Sequence, residues 1–108
     1  MPTVFVTQDD PRKNITQALQ FGTVEAVLEA PDEARLLNTP AIVAKIKRQL
    51  AKMTPDDYLL LMGNPVSIGI CCAVAADITG GRFHLLKWDQ QDRQYYPVAV
   101  DLNQDQSV

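Results

Sequence analysis

Cysteine is scarce in this chain of 108 residues, which holds only Cys71 and Cys72, side by side. Neighbouring residues on a helix point about 100° apart, so a disulfide within the pair would be badly strained. The C-x-x-C spacing of a redox or zinc site is also missing. Both thiols are therefore expected to be small buried hydrophobes in a reducing, cytoplasmic compartment. Histidine is scarcer still: His84 stands alone, which excludes a multi-histidine metal site within one chain. The longest apolar runs, near 58–63 and 66–76, fall short of the ~20 residues of a membrane span. No basic stretch leading into an apolar segment opens the chain, so no secretion leader is expected. An excess of positive charge is lacking as well. Ten Lys and Arg face 13 Asp and Glu, a net charge of −3, which argues against a duplex-DNA binder and against nucleic acid as a partner.

What is present is an ordinary globular balance, 46% hydrophobic and 21% charged. The length suits one α/β domain over residues 1–102, followed by a polar tail at 103–108.

Thr3 to Thr7 is β-rich and stops at the polar cluster Gln8-Asp9-Asp10-Pro11. Asn14 can cap a short helix from Ile15 to Phe21, closed by Gly22. Val24 to Leu28 reads as a strand, and Pro31 to Asn38 as a polar connection. Thr39-Pro40 is a helix start, an N-cap followed by proline in the first turn. Ile42, Val43, Ile46, Leu50 and Met53 then recur at helical spacing. Tyr58 to Met62 is continuously apolar and bounded by turn residues, as in a strand covered on both faces. Gly63-Asn64-Pro65 opens a third helix, about Val66 to Ile78, closed by Gly80-Gly81. Arg82–Asp89 and Tyr95–Leu102 form a hairpin around Gln90 to Arg93. Pro97 cannot donate to a ladder, which puts the last strand at an edge.

The order is β-α-β-α-β-α-β-β. It predicts a small Rossmann-like or flavodoxin-like layer, a mainly parallel sheet with helices on both faces and a C-terminal antiparallel hairpin. The expected strand order is 2-1-3-4, with the final strand beside the fourth. Ligands of such sheets bind beyond the carboxyl ends of the strands, where the winding reverses. That point lies between strands one and three.

Two loops meet there. Gly63, Asn64 and Ser67 open a helix whose N-terminus can hold an anion, and Asp9 and Asp10 stand where a phosphate-bound cation would sit. The same residues also make an ordinary strand-to-helix turn, and they match neither the Walker pattern nor G-x-G-x-x-G. Ser67 lacks a G-x-S-x-G elbow. A Cys–His pair would need a cysteine to leave a packed helix. No catalytic set, metal or cofactor is expected on these grounds. Trp88, Tyr95 and Tyr96, with Lys87 and Arg93, form the best candidate interaction surface, since aromatic and basic side chains together anchor partners. Lys45, Lys47, Arg48 and Lys52 read as a solvated helix face.

The stretch Asp57-Tyr58-Leu59-Leu60-Leu61-Met62-Gly63-Asn64-Pro65-Val66-Ser67-Ile68-Gly69 resembles a pattern in small proteins of tailed bacteriophages, many infecting cyanobacteria and marine bacteria. The resemblance continues through Gly81-Arg82-Phe83, Leu86-Lys87-Trp88-Asp89 and Tyr95-Tyr96-Pro97-Val98, and more weakly at Thr7-Gln8-Asp9-Asp10 and Phe21-Gly22. It brings no assigned activity, so no functional residue carries over. An acid stands more often where this chain has Asn64, a departure that weakens a metal or acid–base role there. Phage origin implies the host cytoplasm, or a place in the virion.

The expectation is a phage accessory protein that acts by binding, to itself or to a host protein, rather than an enzyme. The third helix carries no charge from Val66 through Ala76, so its outward side calls for a partner, and a dimer is the commonest solution. A nucleotide- or phosphate-binding enzyme using the two loops is the alternative, and a small virion component a further one.

Overall fold

A computed structural model describes residues 1–35 and 37–104. Its centre is a five-stranded sheet in the order β2-β1-β3-β4-β5. The strands are β1 (Thr3–Gln8), β2 (Thr23–Leu28), β3 (Tyr58–Leu60), β4 (Arg82–Asp89) and β5 (Gln94–Asp101). β1 pairs in parallel with β2 and β3, β3 in parallel with β4, and β4 antiparallel with β5. The order and the antiparallel end are those expected from the sequence. β1 is buried from Val4 to Gln8, as a central strand covered on both sides must be.

Two α-helices connect the parallel strands, α1 (Thr39–Gln49) and α2 (Pro65–Ile78). Three were expected. The stretch Ile15–Phe21 forms a 3-10 turn over Thr16–Gln20 instead. It is too short to repay helix nucleation, and the Asn14 side chain accepts from both the Thr16 N–H (3.0 Å) and hydroxyl, locking a local turn. A second 3-10 segment, Ala30–Arg35, lies within the connection read as polar and irregular. There the buried carboxylate of Asp32 accepts from Lys45 at 2.7 Å and pins the segment to α1. α1 also ends earlier than expected, at Gln49, although Leu50 and Met53 stay buried in the turns that follow.

Helices on both faces were expected, but both α-helices share one face. Right-handed crossings send the β1–β2 connection to one side and the next two to the other. The packing agrees. Ile42, Ile46 and Leu50 from the α1 region, with Cys71, Val74 and Ala75 from α2, join Phe5, Leu59 and Phe83 in one core. On the opposite face Val4, Val6, Leu60, Leu86 and Tyr95 gather around Ala18, the one fully buried side chain of the connection, with Ile15 and Phe21 packed at its margin.

α2 begins at Asn64, whose side chain accepts from the Ser67 N–H at 2.9 Å. It ends in a glycine cap: Gly80 and Gly81 have φ of 68° and 84°, and the Gly81 N–H bonds the Ala76 carbonyl at 2.7 Å. At the other end of the sheet the buried carboxylate of Asp57 accepts from the N–H groups of Thr3 (2.9 Å) and Thr54 (2.8 Å), tying β1 to the loop before β3. β5 lies at the sheet edge, as Pro97 required. The polar tail falls largely on 105–108, outside the described residues.

Candidate functional site

The two central strands part at their carboxyl ends, and one side chain governs how. The Thr7 hydroxyl accepts the Met62 N–H at 2.7 Å and donates to the Met62 carbonyl. It thereby replaces the ladder beyond Leu60, which is why β3 is shorter than its apolar run. Gly63 follows with φ of 104°. A Cβ at that position would lie 2.6 Å from Gln8 Oε1 and 2.8 Å from Gln8 Cβ, so the turn crosses directly over the Gln8 side chain. Asn64 Nδ2 donates to Gln8 Oε1 at 3.4 Å and to Ser67 Oγ at 3.1 Å.

Beside this junction lies a cleft of about 1000 Å³. Residues 9–14 form one wall, and the ends of β3, β4 and β5 the other. Leu60, Met62, Leu86, Trp88 and Tyr95 give it an apolar lining, and Asp9, Asp10, Arg12, Lys13 and Glu33 bring the charge. Trp88 and Tyr95 meet edge to face with ring centroids 4.9 Å apart. The Trp88 indole N–H donates to Gln90 Oε1 at 2.8 Å. Tyr95 is buried, and that burial pushes its phenol pKa up.

The cleft gathers Asp9, Asp10, Gly63 and Asn64 from the two loops with Trp88 and Tyr95 from the hairpin. Ser67 lies apart from it, fully buried, with its hydroxyl engaged by Asn64. Asp10 faces Arg12, whose Nε lies 3.0 Å from Oδ1; this hydrogen bond holds the carboxyl below its ordinary pKa. Among the described residues no group of three or more His, Cys, Asp or Glu side chains could hold a metal ion.

The aromatic and basic cluster divides between the two faces of the sheet. Trp88 pairs with Tyr95 on the side covered by the β1–β2 connection, a strap over residues 9–22, while Lys87 pairs with Tyr96 on the helix side, as strand alternation demands. Arg93 sits in the hairpin turn with φ of 52°. Gln8 was not singled out by sequence reading. A polar residue closing an otherwise buried strand was the signal available.

The remaining candidates are structural. Cys71 is buried and desolvation pushes its thiol up to about 12, with Cys72 raised for the same reason. Neither is poised to act as a thiolate. His84 Nδ1 lies 3.1 Å from the Pro55 carbonyl, and its ring rests against Tyr58. Of the basic helix face, Lys45 is bound by Asp32 and Lys52 lies 3.8 Å from Glu25.

A family model described as "Phage Pam3 gp32-like protein" matches residues 2–102. The chain belongs to that family. Membership of the Phage Pam3 gp32-like family makes it a phage protein and brings no assigned activity, as the resemblance implied. No curated protein and no solved structure matches the chain.

Proposed function

We propose that this phage protein is an accessory factor that works by binding, as a homodimer, in the cytoplasm of the infected cell. One observation carries the reading: α2 packs on β1 and β4, while on the same face β5 keeps two large side chains at the surface. Tyr96 and Val98 stand there 40% and 38% exposed. The outward side of α2 offers Val66, Gly69 and Ala73 with no charge until Asp77. An uncharged helix side and exposed aromatic and aliphatic side chains on one face are the kind of surface that a second chain covers. A two-fold pairing of this face is the simplest arrangement, because the same patch then covers itself. The layer itself reads as a reduced flavodoxin-like unit in which the last strand turns back antiparallel. The family placement supports a phage role, and the residues shared with proteins of tailed phages of cyanobacteria and marine bacteria support that finer origin.

Light scattering at micromolar concentration tests it. The expected mass is twice the 12.0 kDa of one chain, returning to one chain in a Tyr96→Lys, Val98→Lys double variant. A monomer mass for the unaltered protein overturns the dimer, and a dimer untouched by the double variant overturns its placement on this face. Affinity capture from host lysate distinguishes self-association from a host-protein partner on the same face, and mass spectrometry of purified particles distinguishes a virion component.

A further inference from the structure

Two largely buried side chains line the cleft, each ending in a polar group without a protein partner among the described residues. Gln8 is 6% exposed and Tyr95 9% exposed, and both line it. Gln8 Oε1 accepts from Asn64, but its Nε2 makes no hydrogen bond among the described residues, and neither does the Tyr95 hydroxyl. No wholly buried side-chain nitrogen or oxygen in the described residues lacks a partner, so these two ends reach solvent. Both side chains line the cleft, whose solvent lies beside them. Each is a hydrogen-bonding group held ready at the edge of an apolar surface, the composition of a small-molecule site.

We propose that the cleft binds a neutral planar heterocycle of nucleoside size, stacked against Trp88 and hydrogen-bonded at its edge by Gln8 and Tyr95. The lining rules out the neighbouring classes. A wholly apolar ligand would cover the Gln8 amide and the Tyr95 hydroxyl and leave them unsatisfied, which costs affinity. A polyphosphate would face three carboxylates, Asp9, Asp10 and Glu33, against the two cations Arg12 and Lys13. Arg12 is already engaged by Asp10. The first turn of α2 adds little for an anion, since Pro65 has no N–H and the Ser67 N–H is taken by Asn64. A ring with apolar faces and a carbonyl on its rim meets both demands. The Gln8 amide donates to that carbonyl, and the Tyr95 hydroxyl donates or accepts beside it. Aromatic stacking supplies the rest.

Trp88 is the only tryptophan of the chain, so its emission reports on the cleft directly. The protein is titrated with adenosine, guanosine and thymidine, and in parallel with ribose 5-phosphate and inorganic phosphate. Saturable quenching by at least one nucleoside, and none by the two phosphates, is expected. Tyr95→Phe removes one hydroxyl and should weaken that nucleoside about fivefold with an unchanged thermal midpoint. Gln8→Leu should weaken it similarly, and Tyr95→Phe keeps the test intact if the Gln8 variant fails to fold. No saturation by any nucleoside, undiminished affinity in Tyr95→Phe, or binding that requires the phosphate of a nucleotide overturns the proposal. Tighter binding of oligothymidylate than of thymidine would also overturn it, in favour of a nucleic-acid strand.

Discussion

The two faces of the sheet are built by different means from the same five strands. On one, α1 and α2 seal Phe5, Leu59 and Phe83 under a continuous apolar layer. On the other, residues 9–22 are the whole cover, and Ala18 is their only fully buried side chain. The helical face hides its central strands and leaves only β5 open, whereas the strap leaves a cleft along the carboxyl ends of β3 and β4 and beside β5. The face closed by regular structure carries the larger core, and the face closed by a short irregular connection retains room for a ligand.

The comparison is broken most severely from the helical side. Phe5 is 2% exposed at the centre of that core. Phe5→Ala is expected to cost about 3–5 kcal/mol, through lost burial and the cavity left between two helices and the central strand. Denaturant unfolding followed by circular dichroism measures it. A loss below ~1 kcal/mol would mean that the helices do not seal this face as described.

The strap side should respond differently. Ala18 has no exposed surface and sits among Val4, Val6, Leu60, Leu86 and Tyr95. Ala18→Leu overfills that contact, at about 1–3 kcal/mol. The strain should be relieved by the strap rather than by the sheet, since a single short 3-10 turn is all the regular structure that holds it. Trypsin supplies the readout, because Arg12 and Lys13 lie in the strap and Arg12 is 89% exposed at its side chain. Cleavage there should quicken before global unfolding begins. Unchanged cleavage would show the strap to be as firmly held as the helices.

Much of this division was legible in local signals. Asn64-Pro65 and Gly80-Gly81 bracket α2 because an N-cap, a first-turn proline and a glycine cap act within a few residues. The strand order followed from the alternation of elements. The identity of the strap did not. Ile15 to Phe21 carries a helical pattern, but too few residues to hold one, and losing that helix leaves the whole face thinly covered. The mixed fate of Trp88, Tyr95, Lys87 and Tyr96 was readable from period-two alternation, yet nearness in sequence suggested a single cluster. Gln8 became a site candidate only through Asn64 and Gly63, contacts far along the chain that no local pattern reveals.

The smallest expected effect on stability concerns the border between the two faces, the free edge of β5. The Leu102 N–H bonds the Gly81 carbonyl at 2.9 Å, so residue 102 turns its backbone toward β4. In an antiparallel ladder that orientation alternates. Tyr95, Pro97, Ala99 and Asp101 therefore turn theirs outward. Pro97 thus occupies an outward position at mid-strand, where its missing N–H costs the β4–β5 ladder nothing and denies an incoming strand its central bond. Pro97→Thr should leave monomer stability within about 0.5 kcal/mol, as for a surface change away from the core. It should also open the edge to pairing, and light scattering should then show species larger than those of the unaltered chain, growing with concentration. That result separates association through the Tyr96 and Val98 face, which Pro97 leaves open, from association through the strand edge, which it blocks. If Pro97→Thr associates no further than the unaltered chain, the edge is shielded by something other than its proline.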